Sequence, residues 1–193
     1  KELVITGSFS FKHFYERRIR RILPALFFVM LASLPFAWLY LLPSSLVDFS
    51  KSILYSLGFI SNFYFHYSSI QYGAEDGLFI PFLHIWSLSV EEQYYILFPI
   101  ILMIIYKFFR QHLSKIFIAG ILLSLLLADR GSRDDPSATF YFLHARMWEL
   151  LAGAILAKLE LKYKRNNYNS LNQIAPALGL ILIFFSTIYY NDD

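Results

Sequence analysis

The stretch HIWSLSVEEQYYILFPIILMIIY, residues 84–106, decides the fold. From Ile96 to Ile105 it has the composition of a helix dissolved in hydrocarbon, yet its head carries two adjacent carboxylates, Glu91 and Glu92, followed by Gln93. Polar groups at the lip of an apolar segment ask for a helical membrane protein, because a bilayer interior forces backbone hydrogen bonds to close within a segment. The chain as a whole agrees. It is 57% hydrophobic and 19% aromatic, where soluble domains are less than half apolar. A β-barrel would alternate apolar and polar residues with period two, and runs such as ILLSLLLA at 121–128 do not alternate. The expected fold is an all-α membrane protein, a multi-span helical bundle.

Working outward, apolar runs predict spans near 22–42, 87–106, 114–129, 140–159 and 173–190, all parts of one transmembrane domain. About 20 residues at 1.5 Å each cross roughly 30 Å of hydrocarbon. The segment near 44–67 is less apolar, with serines, Asp48, Lys51 and Asn62. Basic loops at 12–21, 107–115 and 158–165 favour the cytoplasmic side, whereas residues 68–83 hold no Lys or Arg. If residues 22–42 leave the cytoplasm and 90–106 re-enter it, the segment between must dip in and return, or lie at the outer interface. A cavity is therefore expected near residues 44–85, since irregular backbone at membrane depth must be buried in protein or line a wet space. The opening KELVITGSFS is polar and lacks an initiator methionine, which suggests a fragment with membrane segments upstream.

Three constellations are candidates for chemistry. In the first, Ser89-Val-Glu-Glu92 has the spacing of a capping box, which accounts for Glu92 alone. Glu91 shares a helical stripe with Tyr95 and is the better candidate to face a chamber, because a carboxylate turned into a bundle is costly and tends to be functional. In the second, HARMWELLAGAILA at 144–157, Arg146 and Glu149 stand at i and i+3 and can simply pair. Gly153 and Ala157 form a small-xxx-small pattern that admits a neighbouring helix. The third is HFYERRIRR, with Arg18 and Arg21 one turn apart. Such a run can bind nucleic acid, but beside a membrane segment it is first a topology signal, and no nucleic-acid partner is expected. Arginine forks also bind phosphate bidentately. His66 and His84 are read as ordinary polar residues. Without cysteine there is no disulfide or thiolate metal site, and no metal site is assigned.

FYERRIRRILPAL, FLHIWSLSVEEQYYILFP and FYFLHARMWELLAGAILA, in this order, resemble the bacterial acyltransferase-3 family of membrane O-acyltransferases, over roughly residues 9–160. The resemblance implies transfer of an acyl group, in the simplest case acetyl, from cytoplasmic acyl-CoA to a hydroxyl of an extracytoplasmic glycan, such as lipopolysaccharide O-antigen or an exopolysaccharide. It implies a multi-pass protein of the bacterial inner membrane, with acyl-CoA as co-substrate and no bound cofactor. The family's R-x-x-R motif falls on Arg18 and Arg21 and points to the donor. Catalytic candidates are Glu91, Glu92 and Arg146; Trp86, Ser89, Gln93, Tyr95 and Glu149 are candidates for substrate contact. The family's proposed catalytic histidine lies in a membrane helix upstream of the arginines, so this stretch alone is expected to be inactive. Charge placement puts Arg18 and Arg21 on the cytoplasmic side and Glu91, Glu92, Arg146 and Glu149 on the outer side. A transporter or flippase is the alternative, which inverted repeats would favour; none is visible.

Overall fold

The computed structural model describes residues 9–68, 80–163 and 169–189. Among them there are helices and no strands: α1 (Phe11–Tyr40), α2 (Pro43–Leu57), α3 (Ser61–Tyr67), α4 (Trp86–Phe108), α5 (Leu113–Asp134), α6 (Pro136–Tyr141), α7 (Leu143–Tyr163) and α8 (Asn169–Tyr189). Among the described residues, three helical stretches are long and apolar enough to cross a membrane: Phe11–Tyr40, Leu83–Phe108 and Arg110–Asp134. The all-α membrane architecture is as the apolar runs imply. The chain divides into two units, residues 1–156 and 157–193. The second contains α8, whose apolar part is the short stretch Pro176–Tyr189.

Local chemistry explains most boundaries. The arginine run is not a loop: α1 starts at Phe11, where Ser10 accepts a hydrogen bond from the His13 amide. Helix α5 likewise continues through the polar stretch after residue 129 to Asp134, aided by an Arg133–Asp129 pair at i,i+4. Asp135 then caps α6 by accepting from the Ala138 amide at 2.9 Å, with Pro136 in the first turn. The expected single segment at 140–159 is divided, because Phe142 is extended and α7 begins only at Leu143.

The segment at 44–67 is a helix–turn–helix. At 15 and 7 residues, α2 and α3 are each too short to span roughly 30 Å. Helix α2 ends in a Schellman turn: the Phe59 amide donates to Ser56 O and the Ile60 amide to Tyr55 O. The left-handed position, usually glycine, is Phe59 at φ 53°, one residue after Gly58. A bulky residue held there is strained and must be fixed by its surroundings. An aromatic recess of about 260 Å³, lined by Tyr55, Phe63, Tyr64, Tyr67 and Ser68, lies in the region where a cavity was expected.

Helices α1 and α4 run antiparallel. The Tyr15 hydroxyl donates to Ile96 O at 3.2 Å, Arg18 meets Glu92, and Leu26 lies near Ile85 and Leu88. Beyond that, α1 leaves α4 behind and packs Leu26, Met30 and Ala37 with Phe49 of α2 and Phe82. Between α5 and α7, Ser124 donates to His144 O at 2.7 Å and accepts from the Trp148 amide at 3.1 Å. The close approach there is made by Gly120, where a Cβ would lie 2.9 Å from Leu151 Cδ1. The small-residue pattern at Gly153 does not serve this purpose, since a Cβ there would meet nothing within 4 Å.

Candidate active site

Helix α4 presents its head residues to four different neighbours. Trp86 is buried against Phe140 and Tyr141 of α6, with the Arg146 guanidinium 4.8 Å above its ring. Ser89 is fully buried; its hydroxyl is 2.7 Å from that of Ser61 and accepts from the Ser61 amide. Gln93 donates to Phe59 O at 3.0 Å and to Asn62 Oδ1 at 2.8 Å, and Asn62 in turn donates to Tyr141 O at 3.2 Å. Side chains of α4 thus hold the strained turn at Phe59 in place.

Glu92 faces α1. Arg18 Nη1 donates to Glu92 Oε1 at 3.2 Å, with side-chain exposures of 24% and 11%. The same guanidinium lies over the Tyr95 ring, whose face attracts a cation. This corrects the capping-box reading. Helix α4 begins three residues before Ser89, at Trp86, out of a 3₁₀ turn at Leu83–Ile85, and no side chain caps it. Ser89 is therefore interior, and Glu92 is an ion-pair partner. It also corrects the sidedness. Groups 3.2 Å apart cannot lie on opposite sides of roughly 30 Å of hydrocarbon, so the arginine motif and the glutamates meet at one level. Of the two glutamates, Glu92 is the buried one and Glu91 the exposed one.

The remaining candidates separate. Arg21 is exposed and borders a groove of about 340 Å³ with Ile22, Ala25, Leu26, Ile85 and Leu88. Arg18 and Arg21 therefore do not form one clamp. Arg146 pairs with Glu149 at 3.5 Å on its own helix, at 34% and 46% exposure, and its guanidinium lies over Trp86 and Phe140. His66 Nδ1 stands 3.0 Å from Ser137 Oγ. Two residues escaped the sequence reading. Asn62 bridges α3, α4 and α6, and its one visible signal was an amide in an apolar segment. Tyr94 is 6% exposed and its hydroxyl has no hydrogen-bond partner among the described residues; nothing in sequence distinguished it from Tyr95.

A helical membrane domain in which two polar motifs meet in one half-buried ion pair defines the class, and the chain belongs to the acyltransferase-3 family: the profile described as an acyltransferase domain matches residues 3–192. It is an acyltransferase domain. An uncharacterized protein of Haemophilus influenzae is 34% identical over 202 residues, covering 97% of this chain and 79% of the relative. A Staphylococcus aureus protein named putative O-acetyltransferase is 30% identical over 197 residues, covering 96% of this chain and 32% of the relative. The S. aureus O-acetyltransferase OatA is 26% identical over 155 residues, 79% of this chain and 25% of that protein. The chain thus spans about a third or less of the length of these staphylococcal relatives. No solved structure matches the chain.

Proposed function

We propose that this chain forms part of a membrane O-acyltransferase that moves an acyl group, acetyl in the simplest case, from cytoplasmic acyl-CoA to a hydroxyl of an extracytoplasmic glycan. Lipopolysaccharide O-antigen or an exopolysaccharide would be such an acceptor, and the bacterial inner membrane, crossed several times, would be the site. The observation that carries this reading is the Arg18–Glu92 pair, which joins two distant motifs in one buried polar spot beside apolar helices. An ionisable pair buried among membrane helices is a functional site by default.

The reaction makes three demands. The acceptor oxygen attacks the thioester carbonyl, a C–O bond forms and the C–S bond breaks. The hydroxyl proton passes to a base, and the CoA sulfur leaves as thiolate, to be protonated in turn. Arg21, exposed at its groove, is assigned to the CoA phosphates. Arg18 and Glu92 position each other, with Tyr95 beneath, and stabilise charge at the reacting centre. Trp86, Arg146 and Glu149 form an aromatic and charged surface suited to a sugar, and Glu91 is an acceptor contact at its edge. Ser89 and Gln93 hold the backbone of this surface.

The test supplies labelled acetyl-CoA to membranes carrying the complete protein. Label is expected in polysaccharide, and Arg21→Ala is expected to raise KM for acetyl-CoA about tenfold with kcat nearly unchanged, the worth of one charge-assisted hydrogen bond. Movement of substrate without acylation would make the protein a transporter and overturn the reading.

A further inference from the structure

We infer that the cavity between α4, α5 and α7 is a slot for the short acyl chain of a thioester donor, with the Tyr94 hydroxyl donating to the acyl carbonyl. This rests on the acyl-transfer reading above and adds the donor's chain length. The cavity has a volume of about 150 Å³, and its walls include Phe98, Phe117, Leu143, Met147 and Leu151. Its lining also includes Tyr94, which is 6% exposed and whose hydroxyl has no hydrogen-bond partner among the described residues. Buried tyrosine hydroxyls ordinarily have one.

A single water does not resolve this, because an ordered buried water needs two to four polar partners, and the walls around the phenol are aliphatic and aromatic. What fits is a molecule with one hydrogen-bond acceptor on an otherwise apolar body. Size narrows it further. An apolar cavity of about 150 Å³ accommodates a benzene-sized guest, so the slot takes an acyl group of about two to six carbons. Gly120 sets that limit from one side, since a Cβ there would come within 2.9 Å of Leu151 Cδ1. The position is apt. The Tyr94 ring centroid is 5.7 Å from that of Tyr95, and Tyr95 lies under Arg18. Tyr94 and the ion pair therefore stand on adjoining faces of the same turn of α4.

The experiment uses the full-length protein in lipid nanodiscs and a trifluorobutanoyl thioester of pantetheine, followed by fluorine NMR. A protein-bound resonance is expected. Tyr94→Phe, which keeps the ring and removes only the hydroxyl, is expected to weaken binding about five- to tenfold, as for one hydrogen bond. Met147→Ala is expected to lengthen the preferred chain by two or more carbons across an acetyl-to-octanoyl thioester series. Unchanged affinity in Tyr94→Phe overturns the proposal. So does equal binding of a trifluoroalkane lacking a carbonyl, which would make the cavity a void filled by lipid. Acyl transfer on the same preparations separates the two readings. Tyr94-dependent binding without any transfer removes the proposed function and leaves the slot. Transfer with unaltered chain-length preference in Met147→Ala removes the slot alone.

Discussion

Glu92 reaches Arg18 across 74 residues of sequence, and the two charges neutralise each other where little water remains. Removing one partner of a fully buried pair costs roughly 3–5 kcal/mol, because it strands the other charge. Arg18 keeps 24% of its side chain exposed, so Glu92→Gln is expected to lower stability by about 2 kcal/mol, while Glu91→Gln stays within about 0.5 kcal/mol. Replacing both members by Arg18→Met and Glu92→Leu should recover much of the loss. Thermal unfolding of the three variants in detergent checks this, and equal losses for the two glutamates would rule out the pair. The sequence reading singled out this cluster and expected Glu91 to face the interior, whereas Glu92 is the buried one. Helical spacing put Glu92 on a stripe with Ser89 and Ile96; Ser89 is buried but Ile96 is 47% exposed, so the buried face was legible only in part. Its partner on α1 was not, because one sequence carries no signal for which distant helix will face it.

Among the elements, the long helices were plain from their apolar runs, since a bilayer tolerates few other solutions. The breaks were less plain. The left-handed residue after α2 is Phe59, one past Gly58, at a position that propensity assigns to glycine or asparagine. The reason is tertiary: the Phe59 carbonyl is held by Gln93, and Gln93 is held by Asn62. Asn62 is therefore the keystone of α3. Asn62→Ala removes its bonds to Gln93 and Tyr141 O together and leaves buried polar atoms without partners. It is expected to destabilise the protein by about 2–4 kcal/mol. Asn62→Asp keeps the acceptor for Gln93 and loses the amide donor for Tyr141 O, so it should also be damaging. Limited proteolysis between α2 and α4 and thermal unfolding report both. Wild-type resistance in Asn62→Ala would show that the turn stands without this network.

For the whole molecule, the antiparallel register of α1 and α4 has a consequence for depth. From Arg18 the apolar run of α1 continues toward Tyr40, while from Glu92 the apolar run of α4 continues toward Tyr106 in the opposite direction. At 1.5 Å per residue these extend about 30 Å and about 20 Å to either side of the pair. Large exposed side chains mark both flanks, Phe28 at 73% on α1 and Ile96 at 47% on α4. Together the two lengths exceed roughly 30 Å of hydrocarbon, so the ion pair is expected just below the headgroups, within snorkelling reach of the surface for Arg21. Because the chain has no cysteine, single cysteines are clean probes. Phe28→Cys and Ile96→Cys should both resist an impermeant maleimide applied from either face and react with a lipid-soluble one. Ready labelling of either from the aqueous side would place the pair outside the hydrocarbon. The charge rule had separated the two motifs across the membrane because it counts loops, and the arginine run is not a loop.

The bond from Asn62 to the Tyr141 carbonyl also bears on how the protein is made. The two residues are 79 positions apart, so when α3 leaves the ribosome the acceptor for its buried amide has not yet been translated. Ser61 is in the same position on a shorter interval, since it waits for Ser89. Until those residues arrive, α3 carries polar groups that hydrocarbon will not accept. It must wait in water or at the membrane surface while α4 and α5 are inserted. The order of assembly is therefore not the order of synthesis: α3 is translated before α4 and α6 but settles only after them.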